Sequence, residues 1–236
     1  MPLSDGGPCP SSHHYHAPCP MIPTILFPVL SSADHLVLYE GNFQQIQLSQ
    51  PFNYFGRSYS QLYLSMDGFL SFDFNNNLFA DGYYPYNQLP SANMIAGLWT
   101  DIDTYTRGDI TFQQATSGPL LQQATTVIKQ SFSLTSFSAT WVFVGTWQNV
   151  EFEPDTEAVT FQVVLISDSD MSYVLLNYGN MPDDPEAWKA GYFTWDNTQQ
   201  YAISVPSTTN LRTSTNVGKP GRWAFRVDDK NHKFIY

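Results

Sequence analysis

The stretch that most constrains this chain is FSATWVFVGTWQNVEF, residues 137 to 152, because no other run is so apolar and so rich in strand-forming types. Side chains alternate across a pleated backbone. Trp141, Phe143, Gly145 and Trp147 therefore point to one face, and Thr140, Val142, Val144 and Thr146 to the other. Bulk on both faces calls for cover on both, which makes this a central strand. Gly145 among large rings gives a neighbouring ring room or marks a bulge. After Trp147 the pattern changes parity: Asn149 and Glu151 take the aromatic positions and Val150 and Phe152 the opposite ones. That change predicts a bulge or a strand exit near Gln148.

A strand covered on both sides needs a large body around it. The chain has 236 residues, 42% hydrophobic and 16% aromatic, enough for one all-β domain with a sandwich core. Only 13% are charged, so Ser, Thr, Gln and Asn must build the polar surface, a balance that suits a secreted protein. A formal net charge of -11 argues against nucleic acid or an anionic membrane surface as partner, since phosphate binding needs clustered Lys and Arg. No run approaches the roughly 18 apolar residues of a membrane-spanning helix, so no transmembrane span is expected. Cys9 and Cys19 both lie ahead of this body, which must be stable by packing. A Cys9 to Cys19 bridge, an intermolecular bond and two free thiols all stay open.

Residues 1 to 23 are rich in Pro, Ser, Gly and His without apolar periodicity and are expected to form a disordered tail. They carry neither the basic nor the apolar region of a secretory signal, so the expectation is a fragment of a longer precursor or an incomplete gene model. His13, His14 and His16 sit between the two cysteines, but their spacing matches no structural zinc pattern, and no metal or other cofactor is expected.

The folded body is expected over 24 to 229, with a short tail at 230 to 236. Ile46 and Leu48 mark a modest strand. Leu62, Leu64 and Met66 alternate with Tyr63 and Ser65 up to Asp67-Gly68, which predicts a type I′ hairpin turn with Phe69, Leu70 and Phe72 returning antiparallel. Residues 94 to 103 and 110 to 112 read as two strands joined by a turn at 103 to 109. Gly118-Pro119 opens a helix over 120 to 132, with Leu121, Ala124, Ile128 and Phe132 on its apolar stripe. The central strand leads into 159 to 166 and 173 to 178, an antiparallel meander. Strand regions at 187 to 193 and 201 to 205 flank a turn at Asp196-Asn197, and Trp223 and Phe225 share one face of a final strand. The predicted class is all-β, mainly an antiparallel β-sandwich, with one packed amphipathic helix.

Residues 73 to 93 are dense in Asn, Asp, Gly, Tyr and Pro, and loops of this length carry function or are packed by their own aromatics. Tyr83, Tyr84 and Tyr86 would offer a contact surface or a stacking platform for sugars; tyrosines lining a sheet edge are the plainer reading. Asp101 and Asp103 suit a carboxylate pair for acid–base catalysis or oxygen ligands for calcium. No nucleophile motif accompanies them, and acids capping a turn are favoured. Arg107-Gly108-Asp109 matches an integrin-recognition tripeptide, and a turn that needs glycine explains it equally well.

Several ordered motifs then resemble one family: PFNYFGRSYSQLYLSMDGFLSF (51 to 72), IAGLWTDIDTYTRGDITF (95 to 112), LLQQATTVIKQSF (120 to 132), the central strand, VTFQVVLISDSDMSYVLLNY (159 to 178), KAGYF (189 to 193) and TNVGKPGRWAFRVDD (215 to 229). In order and aromatic spacing they resemble the extracellular NIDO, or nidogen-like, domain, nearest to its alpha-tectorin type. The resemblance implies a secreted, non-enzymatic module for cell–matrix adhesion and matrix protein interaction. Its partners would be extracellular matrix or cell-surface proteins, self-association included. The family has no agreed site residues to carry over. The alternatives are a glycan- or calcium-dependent, lectin-like domain and, behind it, a carboxylate hydrolase using Asp101 and Asp103.

Overall fold

The computed structural model describes residues 24–37, 42–80, 89–105, 107–152, 157–183 and 187–231. Their strands form two antiparallel sheets packed face to face. Sheet I runs in the order β1 (Asp34–His35), β7 (Asp109–Ala115), β8 (Trp141–Phe152), β9 (Val159–Ser167), β10 (Ser172–Tyr178) and β13 (Arg222–Arg226), with β6 (Ile102–Asp103) pairing the end of β8. Sheet II runs in the order β12 (Gln200–Ala202), β11 (Lys189–Phe193), β5 (Met94–Trp99), β4 (Phe69–Ser71), β3 (Arg57–Ser65) and β2 (Phe43–Tyr54). The all-β sandwich read from the sequence is the observed architecture.

The 137 to 152 stretch holds the centre of sheet I. Trp141, Phe143 and Trp147 are fully buried between the sheets, while Val142 and Val144 are buried on the opposite face. The parity change is a bulge: the β8–β9 register shifts between Trp147 and Val150, and Asn149 takes φ 52, so Val150 and Phe152 return to the inter-sheet face. Trp147 stacks on Phe161 at 4.9 Å, and its indole N–H donates to the Ser65 and Met66 carbonyls of the other sheet, at 3.2 and 3.0 Å. At the middle of sheet II, Gly97 lets the layers close: a Cβ there would lie 2.7 Å from Val163 Cγ2 and 2.9 Å from the Phe161 ring.

The helix α1 (Pro119–Phe132) starts with Pro in its first turn and ends at Ser133 in the left-handed conformation. It lies on the outer face of sheet I. The stripe it buries is Leu120, Ala124, Val127 and Ile128; Leu121 and Phe132 are only partly buried beside it. Ala124 and Ile128 match the sequence reading, while Leu120 and Val127 take the places read for Leu121 and Phe132.

Two local expectations are corrected. Asp67-Gly68 is not a two-residue type I′ turn: Leu64 pairs with Leu70, and within the Met66-Asp67-Gly68 connection only Gly68 has positive φ (85). The turn with positive φ at both central residues is Phe55-Gly56 (φ 44 and 80), where Tyr54 pairs with Arg57. Phe55 adopts this costly conformation because tertiary contacts hold it. Its N–H donates to the Val227 carbonyl at 2.6 Å and its ring packs 5.3 Å from Tyr192. The second correction concerns 94 to 103, which is not one strand: β5 ends at Trp99 in sheet II, and β6 at Ile102–Asp103 already pairs with β8 of sheet I.

Carboxamide side chains act as extra peptide groups. Gln162, 1% exposed, accepts from the Phe27 N–H and donates to the Phe27 carbonyl, both at 2.8 Å. Gln113 does the same between Leu30 and Pro28, and Asn216 does it on Ala224. Gln114 bonds Ser49 N–H and the Gln47 carbonyl, along the outer strand β2 of sheet II. Buried Arg222 adds bonds to Asn177 Oδ1 and the Ile25 carbonyl. The segment 24–30 is thus tied to sheet I almost without ion pairs, which is what a chain with 13% charged residues needs.

Candidate functional site

The outer face of sheet II is covered by loop, not by helix, and a cleft opens there. β4 ends at Ser71, whose hydroxyl donates to the Asp73 carbonyl at 2.8 Å and starts the chain outward. Residues 75 to 79 then form tight turns: Asn77 N–H donates to Asn75 Oδ1, and Leu78 N–H to the Asn75 carbonyl, both at 3.0 Å. These turns drop Leu78 and Phe79 onto Phe69, Met94 and Trp99 and leave Phe74 53% exposed. Phe74 is steadied by rings on one side, 5.6 Å from both Phe43 and Tyr63 and 5.9 Å from Phe79.

Opposite it stands Trp195, 54% exposed, in the turn between β11 and β12. Asp196 organises that turn: one carboxylate oxygen accepts from Thr194 Oγ1 and Thr198 Oγ1 at 2.8 Å and from Thr198 N–H at 3.1 Å. These bonds, the Thr194 hydroxyl first, hold the Asp196 carboxyl down at about 2. The hub between the two walls is Asn93, only 3% exposed. Its Nδ2 donates to Asp73 Oδ2 and, at 3.2 Å, to the Tyr59 hydroxyl, while its Oδ1 accepts from Trp195 N–H at 3.2 Å. Burial, followed by the nearby Asp73 charge, raises the Tyr59 pKa above its ordinary value. Between the walls lies an open cleft of about 550 Å³, lined by Asp73, the asparagines at 75 to 77, Ser91 and the two aromatics.

The residues singled out from the sequence lie elsewhere or outside the described part. Tyr83, Tyr84, Tyr86, Cys9, Cys19, His13, His14 and His16 all fall outside the described residues. Asp103 accepts from Tyr105 N–H at 2.6 Å and pairs with Glu151 in the β6–β8 ladder, while Asp101 sits half-buried just before β6. Among the described residues no group of three or more His, Cys, Asp or Glu is placed to hold a metal ion. The Arg107-Gly108-Asp109 triplet is pinned to sheet I. Arg107 Nε pairs with Glu151 at 2.8 Å, Asp109 with His35 Nδ1 at 2.7 Å, and a Cβ on Gly108 (φ 90) would lie 2.6 Å from the Asn149 carbonyl oxygen. Among the described residues no helix is long and apolar enough to cross a membrane.

Sequence reasoning passed over Phe74 and Trp195. A signal was present in both: each is a large ring next to turn-forming residues, in DFNNN and TWDNT, where no strand pattern would bury it.

Comparison with known proteins gives a consistent picture. The model of the nidogen-like domain matches residues 60–229. Alpha-tectorin of Mus musculus is 32% identical over 212 residues, covering 81% of this chain and 10% of that protein. Nidogen-2 of Mus musculus is 30% identical over 252 residues, covering 88% of this chain and 17% of that protein. Nidogen of Drosophila melanogaster is 29% identical over 205 residues, covering 77% of this chain and 15% of that protein. The chain therefore spans about 10% of the alpha-tectorin it matches and under a fifth of these two nidogens. No solved structure matches it at a significant level.

Proposed function

This chain belongs to the nidogen-like domain family, and from that premise we propose that it is a non-enzymatic, extracellular module through which a matrix protein adheres to other matrix or cell-surface proteins. The carrying observation is the family match over 60–229, which takes in most of both sheets and the helix. Its alpha-tectorin and nidogen relatives point to the same setting. The polar chemistry of the chain supports a binding role. Asp196 is spent on a turn, Asp103 caps another, Arg107 and Arg226 are each held in an ion pair with a neighbouring side chain, and Asp109 is contacted by the His35 imidazole. What the domain offers outward is aromatic and amide surface, which suits recognition without chemistry.

The test is capture. The purified full chain, immobilised on a sensor surface, is expected to bind at least one component of a basement-membrane or cell-surface extract reversibly, with no turnover of peptide, ester or glycoside reporters. A chain that binds no matrix component and itself sediments as a monomer overturns the reading, and so does hydrolysis of a reporter that Asp101→Asn abolishes.

A further inference from the structure

We propose that the cleft between Trp195 and Phe74 is a binding site for a neutral saccharide, such as the terminus of a glycan on a matrix glycoprotein. The proposal rests on the matrix-binding reading and names the chemistry by which it would work. The cleft combines two features that a folded core does not need together. One is an indole and a phenyl ring, each more than half exposed. The other is a wall of carboxamides with one carboxylate and one hydroxyl, from Asp73, Asn75, Asn76, Asn77 and Ser91.

A sugar ring is the ligand that matches both. Its C–H face is apolar and electropositive and lies flat on the negative face of an indole, while its hydroxyls, each donor and acceptor at once, pair with groups that are donors and acceptors in turn. Asn76 and Asn77 are exposed. Asn75 has one atom engaged, its Oδ1, and Asp73 one, its Oδ2, so the amide of the first and the second oxygen of the other remain for a ligand. A purely apolar ligand would leave these polar groups without partners on desolvation. The volume, about 550 Å³, lies within the usual range for small-ligand sites.

Charge selects a neutral sugar. Among the described residues no Lys or Arg lines the cleft, Asp73 does, and the whole chain carries -11, so sulfated or uronic glycans and nucleic acid are repelled. The backbone that carries the indole is also fixed before any ligand arrives. Trp195 is held through its backbone N–H by buried Asn93, and its turn is locked by the three bonds to Asp196. A ring carried on an already ordered turn has less freedom to lose on binding.

The experiment titrates the full chain with neutral oligosaccharides ending in galactose, mannose or N-acetylglucosamine, and with a heparin-derived oligosaccharide, by calorimetry and tryptophan fluorescence. At least one neutral sugar should bind and heparin should not. Trp195→Ala should weaken binding at least tenfold with an unchanged circular dichroism spectrum, Trp195→Phe should keep part of it, and Tyr105→Ala, at an exposed ring elsewhere, should leave it unaltered. Silence across the neutral panel, preference for heparin, or full affinity in Trp195→Ala overturns the proposal. Capture of matrix components separates the two readings. Capture that survives both deglycosylation of the component and Trp195→Ala defeats the saccharide site and leaves the adhesion reading standing. No capture of any component, beside intact oligosaccharide binding, defeats only the adhesion reading.

Discussion

The two outer faces of this sandwich are closed by different means. Over sheet I the cover is α1, which sets Leu120, Ala124, Val127 and Ile128 on Val142, Val144, Val164 and Ile166, aliphatic against aliphatic. Over sheet II the cover is an irregular segment that sets Leu78 and Phe79 on Phe69, Met94 and Trp99, with ring centroids 4.3 to 5.9 Å apart where Phe79 meets Phe43, Tyr63, Phe69 and Phe74. A helix satisfies its own backbone and can lie flush on a sheet. A loop must close its backbone bonds through turns and asparagine side chains, as at Asn75, and so carries polar groups to the surface with it. Flush cover leaves nothing to bind; turned cover leaves a cleft with aromatic walls. In this molecule the less regular lid is where exposed rings and carboxamides collect.

Five measurements would break or sharpen that contrast. The largest effect is expected in the helical lid. Ile128 is fully buried, so Ile128→Ala should cost about 2–5 kcal/mol, read as a lower urea midpoint with an unchanged slope. A change of slope instead would mean that the lid detaches before the sandwich opens.

Next comes the amide anchoring beside the helix. Gln162→Leu leaves the buried Phe27 N–H and C=O unpaired and should cost about 2 kcal/mol. A neutral outcome would show that segment 24–30 is dispensable to the lid.

The floor shared by both lids should fail at high pH. Burial pushes the Tyr54 and Tyr178 hydroxyls well above their ordinary value of 10.0. Folded-state pKa values above the unfolded ones give stability that is complete below pH 10.0 and is lost as pH rises beyond it, at about 1.4 kcal/mol per pH unit for each group. Fluorescence and far-ultraviolet dichroism should then report one transition. Two separate alkaline transitions would mean that one lid opens independently.

The smallest effects belong to the looped lid. Phe74→Ala should change global stability by less than about 1 kcal/mol, because the ring is half exposed. For the turn below Trp195 the sign is opposite to that of the tyrosines. Asp196 is held down at about 2 from 3.8, so its contribution is present above 3.8 and lost as pH falls through about 2. Acid titration in that window should shift tryptophan emission and leave the far-ultraviolet spectrum unchanged; a concurrent loss of sheet signal would contradict a merely local clamp.

How much of this was legible depended on whether the cause is local. The bulge in β8 was visible because a parity change among Trp147, Asn149 and Val150 is written in consecutive residues. So was α1, from its flanking Gly118-Pro119 and helical spacing, although Leu121 and Phe132 were read into the stripe in place of Leu120 and Val127, because all four are apolar and only the shape of the sheet chooses among them. The type I′ turn was misplaced because Asp67-Gly68 has the favoured composition, whereas Phe55-Gly56 is held by Val227, Asp228 and Tyr192 from the far end of the chain. The cleft was illegible as a site because Phe74 and Trp195 are brought together through Asn93, across strands distant in sequence.

The sequence by itself determined an antiparallel, ring-packed body with one amphipathic helix, since alternation and helical periodicity are properties of neighbouring residues and local sterics enforces them. Only the tertiary structure decided which sheet each strand joins, which turn bears the strained backbone and which aromatics stay in water. Those outcomes depend on contacts between residues far apart in the chain, whose energies no local pattern records.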